Sequence, residues 1–363
     1  MKITVITPRF ALAGVPLAQI RFARALARRG HEVRLIVGFV DPAYALPEIS
    51  DVDIEVWNLP KVRSMLWPLA RHLRVEKPDV VFSAEDHLNT LVSIAAVLVG
   101  SNVKISGSSR VTPFDTYSNV PFTKRWVLKK LARAVMKRAN ALTCVSKDMV
   151  TQYRQIFSSP PHVCVYNIVD DARSRARMHE SVEHAWLIDK SIPVLVAAGR
   201  LAPWKGFSYL IEAVALVNAR RKVRLLILGD GPLRDELQGL VDARGLRDTV
   251  QLVGYVENPL KYFAKSDVFV LSSLVEGLPN VLVEAMMCGC TPVSTDCPTG
   301  PSEVLQDGKY GYLVPMRDPV AMATAIVCAL DNPIPKTLLN EAIAPFEESR
   351  VMDRHFEVLG LQG

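Results

Sequence analysis

Short apolar runs alternate with amphipathic helical stretches along most of the chain, and the pattern begins twice. In the first half, residues 2–7, 32–37, 79–83, 141–145 and 163–166 read as strands, with helices over 17–29 and 88–99. A polar, charged connector follows over 170–190. The alternation then restarts, with strands over 193–198, 224–228, 250–252 and 268–271 and helices over 207–219, 233–244 and 281–287. The strands are apolar throughout instead of alternating, as parallel strands covered on both faces are. This predicts an α/β protein of two Rossmann-like, doubly wound parallel-sheet domains with right-handed crossovers. A length of 363 residues suits two domains, since single cores stop growing at about 250–300 residues. The expected bounds are 1–170 and 171–345. In two such sheets facing a central crevice, ligands lie beyond the carboxyl ends of the strands, so chemistry is sought just after strands.

Composition narrows the class. Apolar residues make up 49% and charged residues 22%, the balance of a globular chain and not of a disordered one. The longest apolar run covers residues 91–99, about half of what a membrane span needs. Residues 2–7 read as a strand and not as the apolar core of a signal peptide, so a cytoplasmic protein is expected. The six cysteines are irregularly spaced. Cys288-x-Cys290 with Cys297 lacks the spacing and the nearby histidine of a zinc site, and buried free thiols are expected.

The net charge of +6 conceals an asymmetry: residues 1–170 carry +10 and the remainder −4. Much of the excess lies in one predicted helix within residues 121–138. There Trp126, Val127, Leu131 and Val135 fall at helical spacing, and Lys124, Arg125, Lys129, Lys130, Arg133 and Lys137 supply the charge. Three readings stand open for it: a docked surface helix with a solvated basic face, a face resting on anionic lipid, and a nucleic-acid contact. The third has no accompanying binding motif, and nucleic acid is not expected as a partner.

Gly199-Arg200-Leu-Ala-Pro-Trp-Lys205-Gly206 follows the strand at 193–198 and opens a helix. Its glycines permit a tight turn, and two cations stand where loop amides and a helix N-terminus favour an anion. Gly229-Asp230-Gly231 is a turn signal. Gly254, Tyr255 and Val256 follow the next strand, where backbone groups can meet a flat base. The richest segment is Glu276-Gly277-Leu278-Pro279-Asn280-Val281-Leu-Val-Glu284. A strand ends before it, and a helix is expected to begin at Pro279, a residue favoured at the first helical position. Glu276 and Glu284 can touch different parts of one ligand, with free amides from Gly277 to Val281 between them at a positive helix end. Paired carboxylates suit sugar hydroxyls, and the amide cluster suits a diphosphate.

In this order these motifs resemble the retaining glycosyltransferases of family 4, as does the tail Val293-Ser-Thr-Asp-Cys-Pro-Thr-Gly-Pro-Ser-Glu303. The resemblance implies the GT-B fold, a C-terminal helix over 346–363 crossing back to the first domain, and a nucleotide-diphospho sugar as donor, UDP-linked by preference. It implies no cofactor and no metal. Arg200 and Lys205 would then neutralise the departing diphosphate, Glu284 hold the ribose and Glu276 the sugar, with Gly199 and the Gly277–Val281 amides around them and backbone near Val256 against the base. In the first half the loop after the first strand keeps only Gly14 of the family's glycines. His87, after the strand at 79–83, resembles the family histidine near the reacting sugar, and Arg110 is a candidate contact for acceptor or phosphate. His31 reads as a turn residue. The expected function is transfer of a hexose or N-acetylhexosamine to a lipid-linked or oligosaccharide acceptor in cell-surface polysaccharide synthesis, on the inner face of the membrane. The alternatives are a nucleotide-sugar epimerase of the same architecture and a catalytically silent nucleotide- or glycan-binding protein.

Overall fold

The computed structural model describes residues 1–11, 14–47, 49–157 and 162–361. Leu12 and Ala13, in the loop ahead of Gly14, lie outside them. The chain divides into two units, Met1–Ile168 with Glu348–Gly363, and Val169–Glu347. The divisions fall at 168/169 and 347/348, two residues from the expected bounds.

The first unit carries strands β1 (Lys2–Thr7), β2 (Glu32–Val37), β3 (Asp53–Val56), β4 (Val80–Ala84), β5 (Lys104–Ser109), β6 (Ala141–Cys144) and β7 (His162–Cys164). Its helices are α1 (Gly14–Arg28), α2 (Leu66–Val75), α3 (Asp86–Leu98), α4 (Pro113–Thr116), α5 (Lys124–Val135) and α6 (Lys147–Ile156). The strands form one parallel sheet in the order β3-β2-β1-β4-β5-β6-β7.

The second unit repeats the plan. Its strands are β8 (Val194–Ala198), β9 (Arg224–Leu228), β10 (Val250–Gly254), β11 (Val268–Leu271), β12 (Thr291–Thr295) and β13 (Tyr312–Val314). They lie parallel in the order β10-β9-β8-β11-β12-β13. Helices α7 (Ala172–Arg177) and α8 (Ala185–Ile188) occupy the stretch expected to be a connector. Then come α9 (Phe207–Asn218), α10 (Arg234–Ala243), α11 (Leu260–Phe263), α12 (Asn280–Met287), α13 (Pro301–Leu305), α14 (Pro319–Asp331) and α15 (Lys336–Ile343). In α9 the buried side chains Phe207, Leu210, Ile211, Val214 and Val217 recur every three or four residues, one apolar face packed on the sheet. Burying each of the larger ones contributes about 1.5–3 kcal/mol.

The last helix, α16 (Glu348–Val358), belongs to the first unit. Val351, Met352 and Phe356 enter the same core as Ile3, Phe22, Leu26 and Phe82. Arg29 pairs with Asp353 at 2.7 Å, and Arg28 with Glu348, at its rim.

In both sheets the strand order reverses beside the unit's first strand, between β1 and β4 and between β8 and β11. The carboxyl ends of that pair make the crevice where open α/β sheets place ligands.

Candidate active site

At the switch point of the second unit, the loop leaving β8 and the loop leaving β11 are tied together. Ser272 Oγ donates to the Lys205 carbonyl at 2.8 Å, and the Leu274 amide to the Trp204 carbonyl at 2.8 Å. Gly206 stands at φ 62°, and a Cβ there would lie 2.2 Å from the Ser272 carbonyl oxygen, so only glycine fits the approach. The tie brings Lys205 Nζ to 2.5 Å from Glu276 Oε1, with the side chains 18% and 11% exposed. Ser273 Oγ donates to the same carboxylate oxygen at 2.6 Å. Lys205 and Glu276, 71 residues apart in sequence, therefore share one position.

The loop after β12 braces this turn from behind. The Glu276 amide donates to the Pro298 carbonyl at 3.2 Å, and Thr299 Oγ1 donates to the Glu276 carbonyl. Thr295 Oγ1 bonds the Ser273 carbonyl at 2.5 Å. A Cβ on Gly300 would fall 2.6 Å from Pro279 Cδ. Ser273, Thr295, Thr299 and Gly300 are support residues that motif spacing does not reveal. The only sequence signal for the last three is their place in the family-like tail.

α12 starts at Asn280, with Pro279 as the cap at φ −77° and ψ 80°, so the proline stands one position outside its expected place as first helical residue. The Asn280 amide is turned back onto the Leu278 carbonyl at 2.9 Å. The amides of Gly277, Leu278 and Val281 take no hydrogen-bond partner among the described residues. Glu284 is half-buried on the second turn of α12 and faces Cys288, whose thiol burial and this carboxylate push up to about 12. Arg200, five residues before Lys205 in the loop leaving β8, is exposed. The loops leaving β8 and β11 and the start of α12 thus carry two cations, three free amides and two carboxylates, which suits a diphosphate flanked by hydroxyl groups.

The two glycines after β9 serve close approach between loops. A Cβ on Gly229 would lie 2.0 Å from the Gly199 carbonyl oxygen, and one on Gly231 2.5 Å from the Leu201 carbonyl oxygen. These glycines let neighbouring loops touch, and do not by themselves make room for a ligand. The Gly254 carbonyl accepts from the Gly229 amide at 2.7 Å. Tyr255 stays exposed. Val256 lines a surface groove of about 440 Å³ with Arg173, Arg177, Lys261 and Tyr262.

In the first unit, His87 is exposed in the first turn of α3. Beside it Glu85 adopts φ 80° and ψ 133°, and burial followed by the neighbouring Asp86 raises its carboxyl above the usual range. Asp86 itself is 6% exposed and accepts from Ser109 Oγ and Tyr153 OH, each at 2.5 Å. Arg110 does not stand ready for a free phosphate: its guanidinium donates to Asn167 Oδ1, and its Nε is buried. Gly14 opens α1 without a positive φ, and a Cβ there would meet nothing within 4 Å. His31 stacks on Phe356 at 5.4 Å.

Of the open readings of α5, a docked helix is seen with little of its surface buried. Its only buried residue is Ala132, and Val127 and Leu131 are 52% and 43% exposed. Phe122, just before the helix, is 90% exposed and lies 5.7 Å from the Trp126 ring.

Comparison with known proteins matches residues 14–167 to the glycosyl transferase 4-like domain and residues 192–332 to the glycosyl transferases group 1. The chain is 30% identical over 277 residues to the N-acetylgalactosamine-N,N'-diacetylbacillosaminyl-diphospho-undecaprenol 4-alpha-N-acetylgalactosaminyltransferase of Campylobacter jejuni, covering 76% of this chain and 72% of that one. It is 29% identical over 310 residues to an uncharacterised glycosyltransferase of Methanocaldococcus jannaschii, covering 76% and 75%. Among solved structures, Anabaena HepE in complex with UDP aligns with a TM-score of 0.77 at 20% identity, over 99% of this chain and 100% of that one. The lipopolysaccharide outer core galactosyltransferase WaaB aligns with a TM-score of 0.74 at 16% identity, over 99% of each. These structural likenesses speak for the fold.

Proposed function

The chain belongs to the family 4 glycosyltransferases of GT-B fold, and we propose that it transfers a hexose or N-acetylhexosamine from a UDP-sugar, with retention and without a metal, to a lipid-linked or glycan acceptor in cell-surface polysaccharide synthesis. The observation that carries this reading is the Lys205–Glu276 pair at the switch point of the second sheet, beside the unpartnered amides of Gly277, Leu278 and Val281. A related Campylobacter enzyme is named for a diphospho-undecaprenol-linked acceptor, and HepE was solved with UDP; both support the choice of donor and acceptor class.

In the reaction, a diphosphate departs while positive charge develops on the sugar. Lys205 leaves Glu276 for the diphosphate, where Arg200 and the α12 amides also act, and the Glu276 carboxylate is released to accept from sugar hydroxyls. Glu284 accepts from the ribose, Tyr255 and Val256 meet the base, and His87 and Gly14 of the first unit serve the acceptor. Electrostatic stabilisation of the leaving group is the main source of rate. The basic, apolar face of α5 holds the enzyme peripherally on anionic lipid at the inner face of the membrane, next to a lipid-linked acceptor.

The test supplies UDP-, GDP- and ADP-sugars in EDTA with and without a diphospho-lipid acceptor. UDP release that requires acceptor is expected, with an α-linked product from an α-linked donor. Lys205→Ala lowers turnover by about 10²–10³ at an unchanged melting temperature. Conversion of the donor without nucleotide release, or a wild-type rate in Lys205→Ala, refutes the proposal.

A further inference from the structure

Three polar side-chain atoms in the first unit are buried without a hydrogen-bond partner and border one cavity: Gln19 Oε1, Arg110 Nε and His355 Nδ1. They come from α1, from the residue after β5, and from α16. Gln19 is 2% and His355 8% exposed. The cavity measures about 20 Å³, room for one or two water-sized particles, and is too small for a phosphate or a sugar. Unmatched polar atoms are rare inside folded domains, and three meeting at one void call for an occupant.

The walls decide its charge. Among the described residues no carboxylate lines the cavity. Arg110 has no ion-pair partner among them, and its guanidinium donates to the neutral Asn167 side chain. Ser106 and Ser108 add hydroxyl groups, and Phe22 and Phe82 close an apolar side. We propose that this cavity binds one small monovalent anion of chloride size, held by Arg110 Nε–H, by His355 Nδ1–H and by the Gln19 amide turned to present its nitrogen. The Gln19 oxygen and nitrogen can exchange places by a half-turn of the amide, since the buried Oε1 has no partner to lose. A water molecule would also satisfy the three atoms, but the carboxylate that acts on Arg110, Glu85, lies outside the cavity wall and leaves the cavity side of the guanidinium unneutralised. Burial holds Arg110 down at about 10 although Glu85 raises it, and burial and then the Arg110 charge hold His355 at about 3; a bound anion moves both upward. The ion ties α1, the β5 loop and α16 together, so its role is to dock the C-terminal helix. It does not depend on the transfer reaction.

The full chain is melted in sodium chloride, in sodium bromide and in sodium gluconate at equal ionic strength, gluconate being too large to enter. Chloride and bromide are expected to give a saturable rise in Tm of about 2–4 °C, absent in Gln19→Leu and His355→Leu. Crystals grown in bromide are expected to show an anomalous peak within hydrogen-bond distance of Arg110 Nε, which decides the matter even if the variants fail to fold. Identical melting in all three salts, or a site holding water without anomalous signal, overturns the proposal.

Discussion

Glu85 occupies a backbone region that glycine alone enters without strain, at φ 80° and ψ 133°. Its amide donates to the Ser108 carbonyl at 2.9 Å, and the adjacent Asp86 is clamped by Ser109 and Tyr153, so the surrounding structure enforces the turn. Such strain costs about 1–3 kcal/mol and persists where a loop is held for function. Glu85→Gly is therefore expected to raise stability to chemical denaturation by about 1 kcal/mol. A loss of stability would show that the carboxylate stabilises the fold by more than the backbone strain costs. Lys205 and Glu276 were legible as site candidates because charged residues beside strand-end glycines have few structural uses. Glu85 was not, since no residue type or spacing announces a positive φ. Nor was the inward turn of Arg110, which depends on Asn167, a residue distant in the sequence.

Among the elements, the helices and strands up to residue 287 were largely read, but α6, α14 and β12 were not, nor were the short edge ones. β3 is four half-exposed residues carrying Asp53 and Glu55, without the apolar run that marks a buried strand. α2 has Pro68 in its first turn, where proline is tolerated but reads as a breaker. The amphipathic character of α5 was visible in the sequence; which face docks was not, because Ala132 in place of a large residue makes the contact. What remains outside is apolar and basic at once, with Lys130 Nζ 5.4 Å from the Trp126 ring. Each basic residue near anionic lipid contributes about 1 kcal/mol. Lys129 and Arg133 already bond Asn119 and the Ile156 carbonyl, so the exposed Lys124, Arg125 and Lys130 are the better targets. The protein is expected to pellet with anionic but not neutral liposomes, and the triple change of these residues to Glu to abolish it. Equal pelleting of both proteins would rule out α5 as the contact.

Over the whole molecule, acid acts through buried histidines of the first unit. His162 on β7 is 1% exposed, lies 4.7 Å from the Tyr153 ring, and is pushed down to about 4 by burial and then by Arg154. Below pH 6.5 the unfolded chain takes up a proton that the folded chain refuses until about pH 4. Stability from this group is thus present above 6.5 and falls through that window, by at most about 3 kcal/mol. Glu85 and Asp86 are raised and act in the opposite sense, the folded form taking the proton first. The comparison of wild type with His162→Gln isolates the histidine: urea unfolding from pH 7 to 4 is expected to show the wild type losing stability more steeply. Parallel curves would mean that His162 is protonated in the folded state.

Two parallel α/β units, the second-unit loops that carry the site, and the family were all legible from periodicity and motif order. These are local properties: an apolar strand, a glycine turn and a helix start each sit within about ten residues. Tertiary structure alone decided that Lys205 meets Glu276, that the glycines after β9 let neighbouring loops touch, and that α5 leaves Val127 and Leu131 exposed. Each of these depends on close approach between segments tens of residues apart, set by how side chains fill the space between packed elements.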